Sequence, residues 1–338
     1  MSNQSLQKLP KITVLVPCYN SEKFLTLCLT SLQKQTFEDI EFLCINDGSQ
    51  DLTQLILEKF QSTDKRFKVI TKSNSGYGDS LNLGLHLAKG EYIGIVEPDD
   101  FVEPNMFEVL YEMAIQHDLD ISRCSYFYHA ENGEIEQHWP DVPKNKVIDP
   151  RSYISVFKQG PSVWANLYRS SWLKKHSIYF LTTPGASFQD TSFAFKTYFC
   201  AQKFMMTDQC LLHYRIDNEN SSVHNKNKIF SVMDEWNEIY KFVSSCPIKN
   251  VSITAKLGEL QHRTYLWNLG RLDWNGKKKF LMKWHQEANS RRALNLTLPL
   301  KFSLPHSIIE VIILHCPFIL VFYNKNSTIV KFLKKFFY

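Results

Sequence analysis

The chain has 338 residues, of which 44% are hydrophobic, and a net charge of +5 at pH 7. This length is sufficient for a large α/β core and a second lobe. The eight cysteines are scattered, without the paired spacing of a metal site, which favours reduced thiols in a cytoplasmic protein. Residues 1–10 are polar, and no repeat or low-complexity segment is evident. Together these features argue against a secreted protein and a repeat protein.

Four strand-like apolar runs, each ending in a polar motif, occupy the first hundred residues. Segments with helical periodicity separate the runs, and this alternation predicts βαβ units around a mostly parallel sheet flanked by helices. Parallel strands end at one edge of the sheet, so we expect the four motifs to form one site. The motifs are Pro17-Cys18-Tyr19-Asn20, Asn46-Asp47-Gly48-Ser49, Asn74-Ser75-Gly76-Tyr77-Gly78 and Glu97-Pro98-Asp99-Asp100.

The acidic tetrapeptide 97–100 follows the last of these runs. Carboxylates at the end of a strand point into the crevice where open α/β sheets bind ligands, and they offer hard oxygen ligands to Mg²⁺ or Mn²⁺. Such a site suits a diphosphate. The alternative is a solvated acidic turn before the helix that begins near Pro104.

The four motifs, together with Asn82 and Gly84, resemble those of the family 2 glycosyltransferases of the GT-A fold, over residues 11–225. The resemblance implies the GT-A nucleotide-diphospho-sugar transferase fold and an inverting, metal-dependent enzyme. Such an enzyme would move a sugar from a UDP-sugar to a saccharide or lipid-linked acceptor. It also implies a role in bacterial surface polysaccharide or lipooligosaccharide biosynthesis.

Donor-binding residues follow from the resemblance and from their chemistry. Pro17 and Tyr19 would form a wall against the nucleobase, and Asn20 would also bind the donor. Asp47 would accept a hydrogen bond from the imide N–H of uracil, a donor that adenine lacks at the corresponding nitrogen. Uridine is therefore favoured, although Asp47-Gly48 could also be a simple turn.

The third motif and the segment after it also correspond to donor-binding positions of the family. Asn74 and Gly76 resemble its Asn-x-Gly segment, where glycine allows close backbone approach to the ligand, and Asn82 follows. Leu81 stands where the family often has arginine, and Arg215 is our candidate to replace that charge.

The resemblance assigns the divalent cation, Mg²⁺ or Mn²⁺, to Asp99. Glu97 stands in place of a more usual aspartate and could contact the ribose, the metal or a water. His224 is a further candidate metal ligand, the alternative being a structural histidine. The cation would stabilise the charge that develops on the leaving diphosphate.

The acceptor half contains Gln189-Asp190, which resembles the Glu-Asp motif of the family. Asp190 would be the catalytic base for the acceptor hydroxyl, and the alternative is a helix cap. Trp164 and Gln189 would line the acceptor subsite, where the Trp164 ring could stack on a pyranose or, alternatively, be buried in the core.

The C-terminal third contains no motif that we can assign. Clustered lysines and arginines lie beside the apolar stretch 308–323, which suits either a helix at an anionic membrane surface or a buried packing helix. We expect no nucleic-acid partner. The predicted organisation is a tail (1–10), a catalytic domain (11–225, with a nucleotide-binding half 11–128 and an acceptor half 129–225), a helical extension (226–300) and an apolar, basic segment (301–338).

Two other functions fit parts of the pattern. A nucleotidyltransferase of similar fold would make a nucleotide sugar and would not need Asp190. A catalytically silent nucleotide-sugar-binding protein would explain the unusual Glu97 and Gln189.

Overall fold

The computed structural model describes residues 9–186, 188–219, 228–293, 304–317 and 320. The chain divides into two compact units, residues 1–218 and 219–338. The finer boundaries given above stay predictions.

The first unit is built on a mixed sheet, and nine of its strands lie in the described residues. The strands are β1 (Ile12–Cys18), β2 (Ile40–Asn46), β3 (Phe67–Thr71), β4 (Tyr92–Ile95), β5 (Phe101–Val102), β6 (Ile121–Ala130), β7 (Gly133–Gln137), β8 (Asn166–Arg169) and β9 (Phe204–Arg215). β1 is parallel to β2 and β4, and β2 is parallel to β3, whereas β8 is antiparallel to both β4 and β6. The order across the sheet is β3-β2-β1-β4-β8-β6-β9-β5, with β7 paired to β6.

Helices connect and cover these strands. Every residue of β1 and β2 is buried, as expected for strands of a parallel sheet covered on both faces, and this accounts for their nearly unbroken apolar sequences. The helices are α1 (Glu22–Gln33), α2 (Thr53–Thr63), α3 (Tyr77–Leu87), α4 (Met106–Gln116), α5 (Ile154–Lys158), α6 (Ser170–Lys175) and α7 (Asp190–Cys200). The predicted α/β architecture is confirmed.

The segments that follow the parallel strands lie side by side. The Asp47 amide donates to the carbonyl of Cys18 at 2.8 Å, and the Lys72 amide donates to the carbonyl of Asn46 at 3.0 Å. These bonds join the ends of β1, β2 and β3 at one edge of the sheet.

The start of α3 packs closely on the segment 181–185. Gly76 has φ +100°, and a Cβ on Gly78 would lie 2.2 Å from the carbonyl oxygen of Leu181. Glycine at these positions therefore allows the two backbones to meet. This contact joins the third motif to the chain just ahead of α7.

The second unit consists of helices in its described part. They are α8 (Ser231–Ser245), α9 (Val251–Arg271), α10 (Trp274–Ala293) and α11 (Leu304–His315). On α11, Ile309 and Ile313 are buried, whereas Ile308 and Val311 are 47% and 56% exposed. None of the helices described is both long and apolar enough to span a bilayer.

Candidate active site

Four carboxyl groups gather where β4 ends and α7 begins. Glu97, Asp99 and Asp100 come directly after β4, and Asp190 is the first residue of α7. The charges of all four act on the Tyr214 hydroxyl and help to raise its pKa, although burial is the larger cause. The fold therefore brings Asp190 to the acidic tetrapeptide across about ninety residues of sequence.

Glu97 accepts a hydrogen bond of 2.5 Å from the Tyr77 hydroxyl. Burial raises the pKa of Glu97 to about 8, and the charges of Asp99 and Asp190 act in the same direction. Glu97 is therefore mostly protonated at neutral pH in the metal-free protein. A divalent cation beside it would favour the ionised form.

The two aspartates of the tetrapeptide differ in their surroundings. Asp100 is buried, and its Oδ1 accepts from the Arg215 amide at 2.8 Å. Burial raises its pKa, and its Oδ2 has no hydrogen-bond partner in the described part of the chain. Asp99 is less buried, and its Oδ2 accepts from the Asn218 amide group at 2.8 Å. A partner-less buried carboxylate oxygen beside an accessible carboxylate fits the oxygen-rich shell of Mg²⁺ or Mn²⁺.

Asp190 combines a buried oxygen with a raised pKa. Burial raises the pKa to about 6, whereas hydrogen bonds at the start of α7 lower it. Oδ1 is buried and has no hydrogen-bond partner among the described residues. Asp190 therefore interacts with the helix start and still keeps one oxygen available as a proton acceptor.

Asp47 holds the loop that follows β3. Its Oδ1 accepts from the Ser75 amide and its Oδ2 accepts from the Gly76 amide, each at 2.9 Å, and Lys72 forms an ion pair with Oδ1. Asn74 also binds this turn, donating to the Asp47 carbonyl at 3.0 Å. A carboxylate has about four acceptor sites, so the predicted bond to a base would use one that these partners leave.

The residues at the end of β1 have different accessibilities. Pro17 is buried within the strand, whereas the Tyr19 side chain is 52% exposed. Asn20 has φ +47°, a conformation that asparagine tolerates, and its Oδ1 accepts from the Gln50 amide at 2.8 Å. Tyr19 and Asn20 are exposed, so of the three only Pro17 lacks a surface available to a nucleobase.

Asn82 and Leu81 are both engaged by other parts of the fold. Asn82 makes two bonds of 2.9 Å with the backbone of Phe180, one through each end of its amide. Leu81 is fully buried. A side chain at position 81 therefore packs in the core, and Asn82 fixes the segment that precedes α7.

Arg215 lies against the acidic tetrapeptide. Its Nε donates to the Asp99 carbonyl at 3.0 Å, its Nη1 contacts Asp217 at 3.3 Å, and its guanidinium lies 4.3 Å from the centre of the Phe24 ring. Arg215 therefore orders the turn that carries Asp99. Lys72 is a second cation at this edge of the sheet.

The two predicted acceptor residues are both largely buried. Gln189 donates from Nε2 to the carbonyl oxygens of Thr183 and Gly185, at 3.1 and 2.8 Å. The Trp164 ring stacks on Tyr214 at 4.8 Å, so that face is closed to a sugar. Gln189 thus holds the segment 183–185, and Trp164 supports Tyr214.

His224 lies outside the described residues. Conversely, sequence reasoning missed Lys72, Tyr77 and Asn218, which contact Asp47, Glu97 and Asp99. Tyr77 lies inside the third motif, where a hydroxyl next to Gly76, the glycine predicted to approach the ligand, was the available signal. Lys72 and Asn218 had no signal beyond following a strand.

Comparison with known proteins gives consistent matches. The family profile described as "Glycosyl transferase family 2" matches residues 13–176. A Bacillus subtilis protein named as the glycosyltransferase EpsH is 32% identical over 228 residues, which are 65% of each chain. The chain thus spans just under two thirds of that relative.

Solved structures share the fold. S. aureus TarS residues 1–349 in complex with UDP has a TM-score of 0.60 and 24% identity, covering 75% of this chain and 72% of that chain. A mannosyltransferase of Pyrobaculum calidifontis with GDP-Man and Mn²⁺ has a TM-score of 0.52 and 14% identity, covering 93% and 86%. The predicted GT-A fold is confirmed.

Proposed function

Because this chain carries a glycosyl transferase family 2 domain over residues 13–176, we propose that it transfers a sugar from a UDP-sugar to a hydroxyl group of a saccharide or lipid-linked acceptor. The observation that carries this proposal is the meeting of Asp190 with the acidic tetrapeptide. One carboxylate with a proton-accepting oxygen lies beside a group of carboxylates suited to a divalent cation. That cation would in turn bind the diphosphate.

Asp190 would act as the base. In an inverting displacement, the acceptor hydroxyl attacks the anomeric carbon, the bond from that carbon to the diphosphate breaks, and Asp190 Oδ1 takes the hydroxyl proton. The buried Oδ1 and the pKa of about 6 support this role, since the group is mostly ionised at neutral pH yet still basic. One carboxylate is sufficient because no covalent intermediate forms.

Asp99, aided by Glu97 and Asp100, would hold one Mg²⁺ or Mn²⁺. When bound there, the cation would stabilise the charge on the departing UDP. The likeness in fold to a mannosyltransferase solved with Mn²⁺ supports a divalent cation, and that to TarS solved with UDP supports the choice of uridine. Tyr19 and Asp47 would contact the base.

The acceptor would belong to a bacterial surface polysaccharide or lipooligosaccharide. The similarity to EpsH of Bacillus subtilis supports a bacterial glycosyltransferase. We further propose that the chain works in the cytoplasm at the inner face of the membrane. The exposed Ile308 and Val311 on α11, near the basic C-terminal sequence, support this location.

A panel of nucleotide sugars tests the donor and the metal. We expect slow release of UDP from one UDP-sugar, dependent on Mn²⁺ or Mg²⁺, and little release from GDP-, CDP- or ADP-sugars. Asp99→Asn should remove most of the metal-dependent affinity for UDP in calorimetric titrations while circular dichroism stays unchanged. Equal UDP affinity and activity in this variant would contradict the metal assignment.

Two further assays separate the competing functions. A nucleotidyltransferase would release diphosphate from a nucleoside triphosphate and a sugar phosphate. A silent binding protein would bind UDP without hydrolysis or transfer to any acceptor. Either result would refute the proposal.

A further inference from the structure

A second group of side chains that could hold a metal ion is formed by residues outside the acidic tetrapeptide. His129 Nδ1 and His213 Nδ1 each lie 2.7 Å from the same oxygen, Oε1 of Glu134. The three ligand atoms lie within 4.8 Å of one another. We call His129, Glu134 and His213 the histidine cluster.

Three adjacent strands carry the cluster. Glu134 on β7 stands directly opposite His129 on β6. β6 also pairs with β9, where Phe127 is the partner of His213. Because regular strands fix their backbones, the three side chains are held together without a flexible loop.

His213 is oriented by its surroundings. Its ring is stacked between Phe101 at 4.2 Å and Phe127 at 4.8 Å, and its Nε2 lies 2.9 Å from Glu103 Oε1. A carboxylate at Nε2 keeps a proton on that nitrogen, which leaves the Nδ1 lone pair directed at the cluster. This arrangement of carboxylate, histidine and open nitrogen is the usual support of a metal-bound histidine.

We propose that the histidine cluster binds Zn²⁺ through His129 Nδ1, His213 Nδ1 and Glu134 Oε1, with Glu103 as a positioning residue. Two imidazoles and one carboxylate favour Zn²⁺ over Mg²⁺ or Mn²⁺. Tetrahedral zinc with bonds of about 2.0 Å needs ligand atoms about 3.3 Å apart, so the contacts at 2.7 Å would open by about 0.6 Å. A water would take the fourth position.

Charge balance supports the ion. Two neutral imidazoles, Glu134 and Glu103 give two negative charges around Zn²⁺. Two imidazole nitrogens converge on the one Glu134 oxygen, and the other nitrogen of the buried His213 faces Glu103.

The metal would tie β7 to β9 just ahead of Arg215. The Arg215 amide and side chain contact Asp100 and Asp99, so the ion would brace the strand that supports the acidic tetrapeptide. Its role is structural and does not depend on which sugar the chain transfers.

Titration of the full-length, chelator-treated protein with Co²⁺ and Zn²⁺ tests the site. We expect Co²⁺ to give the visible absorption of a tetrahedral nitrogen and oxygen site, and Zn²⁺ to abolish it. Glu134→Gln and His129→Gln should weaken Zn²⁺ binding more than tenfold, and Glu103→Gln by about 10- to 100-fold. Zn²⁺ should raise the Tm of the wild type more than that of these variants.

Control variants outside the histidine cluster test whether other residues contribute to Zn²⁺ binding. Glu131→Gln, on the same hairpin, and His86→Gln, on α3, should bind Zn²⁺ as the wild type does. Cys210→Ser should do so too, because Cys210 belongs to a neighbouring group with Glu136 and His138. Asp99→Asn should leave the Co²⁺ absorption unchanged.

Two results would overturn the proposal. One is a wild type that gives no tetrahedral Co²⁺ absorption and no Tm increase with Zn²⁺. The other is equal Zn²⁺ affinity in Glu134→Gln, His129→Gln and the wild type. In both cases the cluster would be a proton-bridged ion network without a metal.

Discussion

Burial gives Asp190 a pKa of about 6, which separates it from an ordinary surface aspartate. Asp190→Asn should lower kcat by about 10² to 10⁴ while the KM for the donor changes little, because a base acts mainly in the transition state. Wild-type kcat should rise with pH through about 6, and the variant should lose this rise. Steady-state kinetics across pH 5 to 8 measure both effects, and a wild-type rate in the variant would show that Asp190 serves only the helix start.

Glu97 gives a pH dependence of stability with a defined sign. Its pKa in the folded protein is about 8, against an ordinary value of 4.5. Between these values the unfolded chain releases a proton that the folded metal-free protein keeps, so this carboxyl lowers stability as pH rises. Glu97→Gln removes the effect, and we expect its Tm relative to wild type to be higher at pH 8 than at pH 5.

Thermal melts of the metal-free proteins at both pH values test this sign. The exposed Glu112→Gln, on α4, is the matched control and should show no such change. A Tm difference between Glu97→Gln and the wild type that is the same at pH 5 and pH 8 would mean that Glu97 ionises normally in the folded protein.

Gln189 is suited to its position because it donates hydrogen bonds. An ionised glutamate would turn acceptor oxygens toward the carbonyls of Thr183 and Gly185. Gln189→Glu should therefore lower the free energy of unfolding by about 1 to 3 kcal/mol at pH 7. Denaturant unfolding, with the exposed Gln116→Glu as control, measures the loss, and an equally stable variant would contradict this role.

At the scale of elements, the packing of α3 on the segment 181–185 joins the nucleotide half to the acceptor half. Gly78→Ala would bring a methyl group into the Leu181 carbonyl, at 2.2 Å without adjustment. We expect a loss of about 1 to 3 kcal/mol in stability and a reduced kcat, since the shift would also move Asp190. Gly160→Ala is the control, because a Cβ there meets only the Ser162 hydroxyl, at 3.9 Å. Equal stability and kcat for Gly78→Ala and wild type would refute this coupling.

At the scale of the whole molecule, α11 supplies a test of membrane association. Its buried Ile309 and Ile313 fit core packing, and its exposed Ile308 and Val311 fit an apolar contact with lipid. Both roles fit one amphipathic helix. The basic residues of the C-terminal sequence would add about 1 kcal/mol each at an anionic surface.

Co-sedimentation with anionic vesicles at low and high salt measures this association. We expect the full-length protein to sediment at low salt and less at high salt. The double variant Ile308→Glu with Val311→Glu should sediment less than wild type, whereas Leu55→Glu, at an exposed position on α2, should not differ. A wild type that stays in the supernatant at low salt would end the membrane proposal.

The sequence alone determined the parallel half of the sheet and the composition of the site. Strands buried on both faces need continuous apolar runs, and those runs end where the polar motifs begin. The gathering of the motifs 17–20, 46–49, 74–78 and 97–100 at one edge was therefore predictable. The helical nature of the second unit was predictable in the same way from apolar spacing.

Only the tertiary structure decided which side chains stay available to a ligand. Asn82 is engaged by Phe180, and Leu81 is buried, because the segment before α7 folds onto α3 nearly a hundred residues earlier in the chain. The bond from Tyr77 to Glu97 and the meeting of His213 with Glu134 likewise join distant segments. Local periodicity in the sequence indicates which face of an element is buried. The partner of each polar side chain depends instead on how the elements pack. The same packing sets the pKa values of Glu97 and Asp190.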